Sequence, residues 1–163
     1  MSYTPQQLAA AGTEHAHQAA VFCWIRRKAQ YYPQLEWAFA VPNGGHRDRI
    51  TAGKLKAEGV TPGVFDFVVP YPVEPFHGLF IEMKKPGGIV SAEQKKFGKE
   101  MVSRGYQCFV CYGWDSAVET IANYLGISAD YPSKPKVVED EKDFIAVTAE
   151  RRRGRSSRRV QPD

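Results

Sequence analysis

Two short stretches in the middle of the chain alternate between apolar and polar positions with the period of a β-strand. In Val64-Phe65-Asp66-Phe67-Val68-Val69, residues Val64, Asp66 and Val68 share one side of an extended backbone. In Leu79-Phe80-Ile81-Glu82-Met83-Lys84, Phe80, Glu82 and Lys84 take one face and Leu79, Ile81 and Met83 the other. Helical periods surround these strands. Residues 13–30 read as a helix, with Thr13 as N-cap, Glu14 in the first turn and a buried stripe of Ala16, Ala20 and Cys23, with Ala19 and Val21 as further candidates. Tyr31-Tyr32-Pro33 ends it. Residues 37–41 read as a strand, Pro42-Asn43-Gly44-Gly45 as a turn, and residues 47–58 as a basic helix closed by Gly59. Ser91-Ala92-Glu93-Gln94 has the form of a capping box and opens a helix to about Arg104. A strand over 106–112 follows, then a helix from Trp114 or Asp115 to Leu125, stopped by Gly126.

The predicted order is therefore α-β-(α)-β-β-α-β-α, an α/β domain over residues 13–126. Residues 1–12 are expected to be loosely held. From 127 to 163 the prolines at 132 and 135, the acidic run 139–141 and a cluster of arginines predict a tail of little order.

Composition changes this picture little. Of the 163 residues 43% are hydrophobic and 12% aromatic, enough for one packed core. No apolar run is long enough to span a membrane, and the first residues lack the basic and apolar segments of a secretory leader. Three cysteines, an odd number, suit reduced thiols in a cytoplasm. Charge is more informative. The net charge is +4, but without residues 151–163 the chain has 16 basic and 17 acidic side chains. The basic character belongs to Arg151, Arg152, Arg153, Arg155, Arg158 and Arg159, a run suited to nucleic-acid attraction without sequence readout. A nucleic-acid surface on the domain itself has to be a local patch.

If the two strands pair with their polar faces matched, Asp66, Glu82 and Lys84 converge among apolar neighbours. Two carboxylates roughly 5 Å apart repel by about 3 kcal/mol at an effective dielectric near 20. Such a pair calls for a divalent cation. Magnesium prefers oxygen ligands and retains water, so two carboxylates with a backbone carbonyl suffice.

The arrangement Asp, then Glu-x-Lys on the next strand, resembles the PD-(D/E)xK nuclease superfamily. Within it, the chain resembles the virus-type replication-repair nuclease (VRR-NUC) family. The likeness runs through Glu14 with Gln18, Pro42-Asn43-Gly44-Gly45, Leu55-Lys56-Ala57-Glu58-Gly59-Val60, Pro62-Gly63-Val64-Phe65-Asp66 and Phe80-Ile81-Glu82-Met83-Lys84. It continues through Ser91-Ala92-Glu93-Gln94, Gly105-Tyr106 and Val110-Cys111-Tyr112-Gly113. Phe65 departs from the pattern, standing where the family usually has proline.

The resemblance implies a restriction-endonuclease-like core with a mixed central sheet flanked by helices. It implies a Mg2+-dependent DNA endonuclease, with Mn2+ able to substitute, of phage or prophage origin and acting in a cytoplasm on replication, recombination or repair DNA. Stand-alone members look like homodimers that resolve four-way junctions; a flap or single-strand nuclease, or an inactive DNA-binding module, are the alternatives. Residue by residue it carries metal binding onto Asp66, Glu82 and the Met83 carbonyl, and the helical acid onto Glu14 as a further candidate ligand. Lys84 would orient or deprotonate the attacking water, and Gln94 would stand near the site at a helix end suited to a phosphate.

Other features admit plainer readings. Gln18 lies one turn beyond Glu14 on the same helix face. Asn43, Gly44, His46 and Arg47 could bring backbone amides and charge to DNA, or form an ordinary turn before an exposed helix. Cys108 and Cys111 form a C-x-x-C, but residues three apart in a strand face opposite ways, and no second pair completes a zinc site. His15 and His17 read as surface histidines. Trp24, Tyr31, Tyr32, Trp37 and Trp114 exceed what a small core readily encloses and offer an interface.

Overall fold

A computed structural model of the chain describes residues 3–42 and 49–129, with the side chains of 49–52 left aside. Its elements are α1 (Pro5–Ala9), α2 (Glu14–Lys28), β1 (Phe39–Ala40), α3 (Arg49–Ala57), β2 (Phe67–Val69), β3 (Leu79–Lys84), α4 (Ala92–Ser103), β4 (Gln107–Tyr112) and α5 (Trp114–Leu125). The four strands form one mixed sheet in the order β1-β2-β3-β4. β2 runs antiparallel to both β1 and β3, while β3 and β4 are parallel and joined across α4. The expected mixed sheet flanked by helices is the one observed.

Alternation sorts the sheet into two faces. Phe67, Val69, Leu79, Ile81 and Met83 are buried against Val21, Trp24 and Ile25 of α2 and Ala117, Val118 and Ile121 of α5. This is the main core. The other face, beneath α4, carries a row of rings: Phe65 and Phe80 each meet Phe97 of α4, with centroids 5.4 and 5.2 Å apart, and Phe80 also meets Tyr106. Phe65, the departure from the family's proline, is fully buried and fills the space between β2 and α4. It is a packing residue.

Several expectations change. The segment read as loose contains α1, capped by Thr4 with Gln7 reaching back to the Thr4 amide at 2.8 Å. α1 packs on α2, and the Tyr3 carbonyl accepts from Arg27 at 2.8 Å. Cys23 points towards that contact and is half-buried, so the inner stripe of α2 is Ala16, Ala20, Val21, Trp24 and Ile25. The strand expected over 37–41 pairs only at Phe39 and Ala40, at the sheet edge. Ordered packing continues past the predicted boundary at 126: Ile127 and Ala129 lie on the core, and Trp24 Nε1 donates to the Ala129 carbonyl at 3.1 Å. Cys108 and Cys111 are buried on opposite faces of β4, Cys111 Sγ lying 3.5 Å from Thr120 Oγ1, and burial pushes Cys108 up to about 12. Among the described residues no helix is long and apolar enough to cross a membrane.

Candidate active site

The site lies where β2 begins and β3 ends. The register pairs Phe67 with Ile81 and Val68 with Phe80, so Asp66 falls opposite Glu82 as strand alternation predicts. Asp66 sits just before β2 and turns its carboxylate onto β3, where Oδ2 accepts the Met83 amide at 2.7 Å. Amide and carbonyl of one strand residue point to the same side. The Met83 carbonyl therefore faces Asp66 as well, beyond the last β2 pair, while the Met83 side chain is buried in the core.

Glu82 and Lys84 are the two charged residues buried among the described ones. Lys84 Nζ lies 2.7 Å from Glu82 Oε1. That same oxygen accepts Gln94 Nε2, whose own amide oxygen accepts Ser91 N–H at 2.8 Å. The capping box of α4 thus does two jobs: it closes the helix end and fixes a carboxamide against Glu82. Glu82 Oε2 is buried with no hydrogen-bond partner.

Glu14 reaches the cluster from the first turn of α2, where its Oε1 accepts the Lys85 amide at 3.4 Å. Gln18 lies one turn further on and is half-buried. The predicted residues Glu14, Asp66, Glu82, Met83, Lys84 and Gln94 are thus brought together. Asn43, Gly44, His46, Arg47, Arg151, Arg152 and Arg153 lie outside the described residues.

Burial at this junction disfavours the charged forms of its carboxylates. Burial lifts Asp66 above the ordinary carboxylate range, although the Met83 amide and Lys84 oppose the rise. Burial and then the Asp66 charge push Glu82 from 4.5 up to about 7, against the pull of Lys84. Glu14 raises both. One ammonium does not balance three acids, and an oxygen of Glu82 is left without a donor. Among the described residues no three His, Cys, Asp and Glu side chains form a ready-made metal cage. The donor set is instead two carboxylates and a backbone carbonyl, the oxygen ligands that suit magnesium and not the nitrogen and sulfur of a tetrahedral zinc.

Two features were missed in the sequence. His17, read as a surface residue, accepts the Trp114 amide at 3.3 Å through Nδ1 and so caps α5. Gly113 precedes that helix and has no side chain to do so, the one signal that a cap had to come from elsewhere. The second is basic charge near the site in sequence: Lys85 directly follows β3, Lys95 and Lys96 directly follow Gln94 on α4, and all three are exposed.

No family model matches the chain, and no curated protein matches it. Among solved structures, one described as a VRR_NUC domain protein is similar to it, with a TM-score of 0.60 and 27% sequence identity. The similarity covers 71% of this chain and 90% of that one.

Proposed function

The chain belongs to the VRR-NUC family of nucleases, and from that premise we propose that it is a metal-dependent DNA endonuclease selective for branched DNA, working as a homodimer in a cytoplasm. The observation that carries the catalytic part is the buried carboxylate pair, Asp66 and Glu82, with one glutamate oxygen left without a partner beside Lys84.

Asp66, Glu82 and the Met83 carbonyl would hold Mg2+ or Mn2+, with Glu14 alongside. A bound divalent ion supplies charge for the phosphate and a water acidic enough to attack near neutral pH. The remaining chemistry belongs to the chain. Lys84, held 2.7 Å from Glu82, is placed to orient the attacking water and to balance charge on the phosphate. Gln94 keeps the Glu82 carboxylate in one rotamer, so its free oxygen points the same way in every molecule. Lys85, Lys95 and Lys96 attract the flanking phosphates without reading bases, and the arginines of 151–159 extend that attraction.

The test is cleavage of junction, flap, duplex and single-stranded DNA with Mg2+, Mn2+ or EDTA. Asp66→Asn and Glu82→Gln are each expected to remove activity on the order of a thousandfold or more while leaving the fold intact, because charge is lost and shape kept. Lys84→Ala is expected to lower turnover while leaving metal binding in place. Unchanged cutting by Asp66→Asn would sink the site assignment. A preference for flaps or single strands over junctions would leave the nuclease reading standing and remove the branched-DNA one.

A further inference from the structure

The turn that links β3 to α4 is built directly against the catalytic cluster. Its first amide, Lys85, is held by Glu14, and the Gly88 amide donates back to the Lys85 carbonyl at 2.9 Å. Gly87 takes φ +78°, a conformation that side chains resist. At Gly88 a side chain would be tightly crowded. A Cβ there would stand 3.0 Å from the Lys85 carbonyl oxygen, 3.2 Å from Lys84 Cδ and 3.3 Å from Glu14 Oε1. The turn is therefore seated on two residues of the site. The residue that follows, Ile89, projects into solvent at 86% exposure, the highest of any large hydrophobic side chain among the described residues.

A lone exposed apolar side chain is ordinary on a protein surface. This one differs in its seat. Gly88 lies against the Lys84 side chain, 3.2 Å from Cδ to where its Cβ would stand, so Ile89 is one residue from a contact with the catalytic lysine. Isoleucine is stiff at χ1, so the tip holds its direction. Exposed Lys85 opens the same turn, its carbonyl accepting the Gly88 amide at 2.9 Å, and a cation there suits a polyanion and not an apolar protein surface. A single aliphatic tip is also too small to hold a second copy of the chain.

We propose that Ile89 is a wedge that enters a base step of paired DNA beside the phosphate to be cut. Aliphatic side chains inserted in this way partly unstack the step and kink the duplex. The kink would bring the backbone down onto Asp66, Glu82 and Lys84. The wedge specifies a substrate class: it is needed where the cut lies in paired DNA, and not where bases are already unstacked. The proposal rests on the nuclease reading above.

The test uses the full chain and its Ile89→Ala and Ile89→Leu variants, whose exposed position leaves folding untouched. Duplex-armed junctions carry 2-aminopurine at successive positions, and its fluorescence rises on unstacking. In EDTA, the wild type is expected to raise the signal at one step, Ile89→Ala to bind without the rise, and Ile89→Leu to restore it. With Mg2+, Ile89→Ala is expected to cut paired DNA ~10-fold more slowly and single strands at the wild-type rate, since only the former must be unstacked. An equal fluorescence rise in Ile89→Ala, or an equal loss on single strands, would overturn the wedge. So would a wild-type dimer that Ile89→Ala turns into monomer, because a second copy would then cover the residue. The fluorescence arm needs no turnover. A wild type that cuts no DNA would count against the nuclease reading, and the 2-aminopurine signal would still decide the wedge.

Discussion

At Glu82 a proton and the proposed metal would compete for one carboxylate. Burial and the charge of Asp66 move its pKa from 4.5 to about 7. Between those values the metal-free native protein holds a proton that the unfolded chain has released, so stability falls as pH rises. The contribution is fully present below about 4.5 and is lost on passing 7, a swing on the order of 3 kcal/mol. Asp66, raised for the same first reason, acts in the same direction. Thermal melting in EDTA is therefore expected to drop by several degrees from pH 5 to pH 8, and Glu82→Gln to flatten most of that drop. Mg2+ should act oppositely, stabilising more as pH rises, because it takes the deprotonated pair. A wild-type slope equal to that of Glu82→Gln would remove Glu82 as its source. This pair was legible in the sequence because period-two alternation is strict: once β2 and β3 are antiparallel with a buried face, Asp66 and Glu82 have one side left to them. The direction in which each carboxyl oxygen points was not legible, since the Met83 amide and Gln94 set it through contacts across elements.

Among the elements, the turn before β2 decides how closely α4 approaches the site. Gly63 has φ +84°, and a Cβ there would lie 2.6 Å from the backbone carbon of Glu93 in the first turn of α4. Gly59 has φ +96° with nothing within 4 Å of its missing Cβ. The pair separates conformational strain from collision. Gly59→Ala is expected to cost roughly 1–3 kcal/mol from backbone strain alone. Gly63→Ala bears that cost and must also push α4 away, taking Gln94 from Glu82. Denaturant unfolding should find Gly63→Ala the less stable, with cleavage reduced beyond what its unfolded fraction explains. Equal stability losses would mean that the approach to Glu93 relaxes freely. The same elements mark what a sequence yields. Ser91-Ala92-Glu93-Gln94 predicted its helix start because a capping box is local chemistry. Thr4-Pro5-Gln6-Gln7 has the same form, yet α1 is five residues, too short for Pro5, Leu8 and Ala9 to repeat a helical period, and its packing partner α2 is what holds it. β1 shrank to Phe39 and Ala40 because pairing there depends on the short β2 and on no periodicity in 37–41.

For the whole molecule, the open question of scale is how many catalytic clusters meet one DNA. Each chain has one cluster built on Asp66 and Glu82, which on the proposed reading would make one cut, and resolving a four-way junction takes two coordinated cuts. A two-fold dimer supplies two equivalent sites through one self-complementary surface. Part of the aromatic surplus expected at that surface is used inside: Trp24 is fully buried, and Tyr32 and Trp114 pack on the core. What remains outside is Tyr31 at 71%, Trp37 at 69% and Phe39 at 53% exposure. Trp37 and Phe39 flank Ala38, which lies against the core, so both rings project from the β1 side of the sheet. Aromatic residues of this kind are enriched as anchors where proteins meet. The expectation is a dimeric mass by light scattering for the wild type and a shift towards monomer, by tenfold or more in Kd, for Trp37→Ala with Phe39→Ala, since hot-spot residues contribute about 2 kcal/mol or more each. The double variant should still cut one strand of a flap but lose paired cuts on junctions. A wild type that is monomeric at working concentration, cutting flaps and ignoring junctions, would place those rings on free surface and reduce the enzyme to a single-site nuclease.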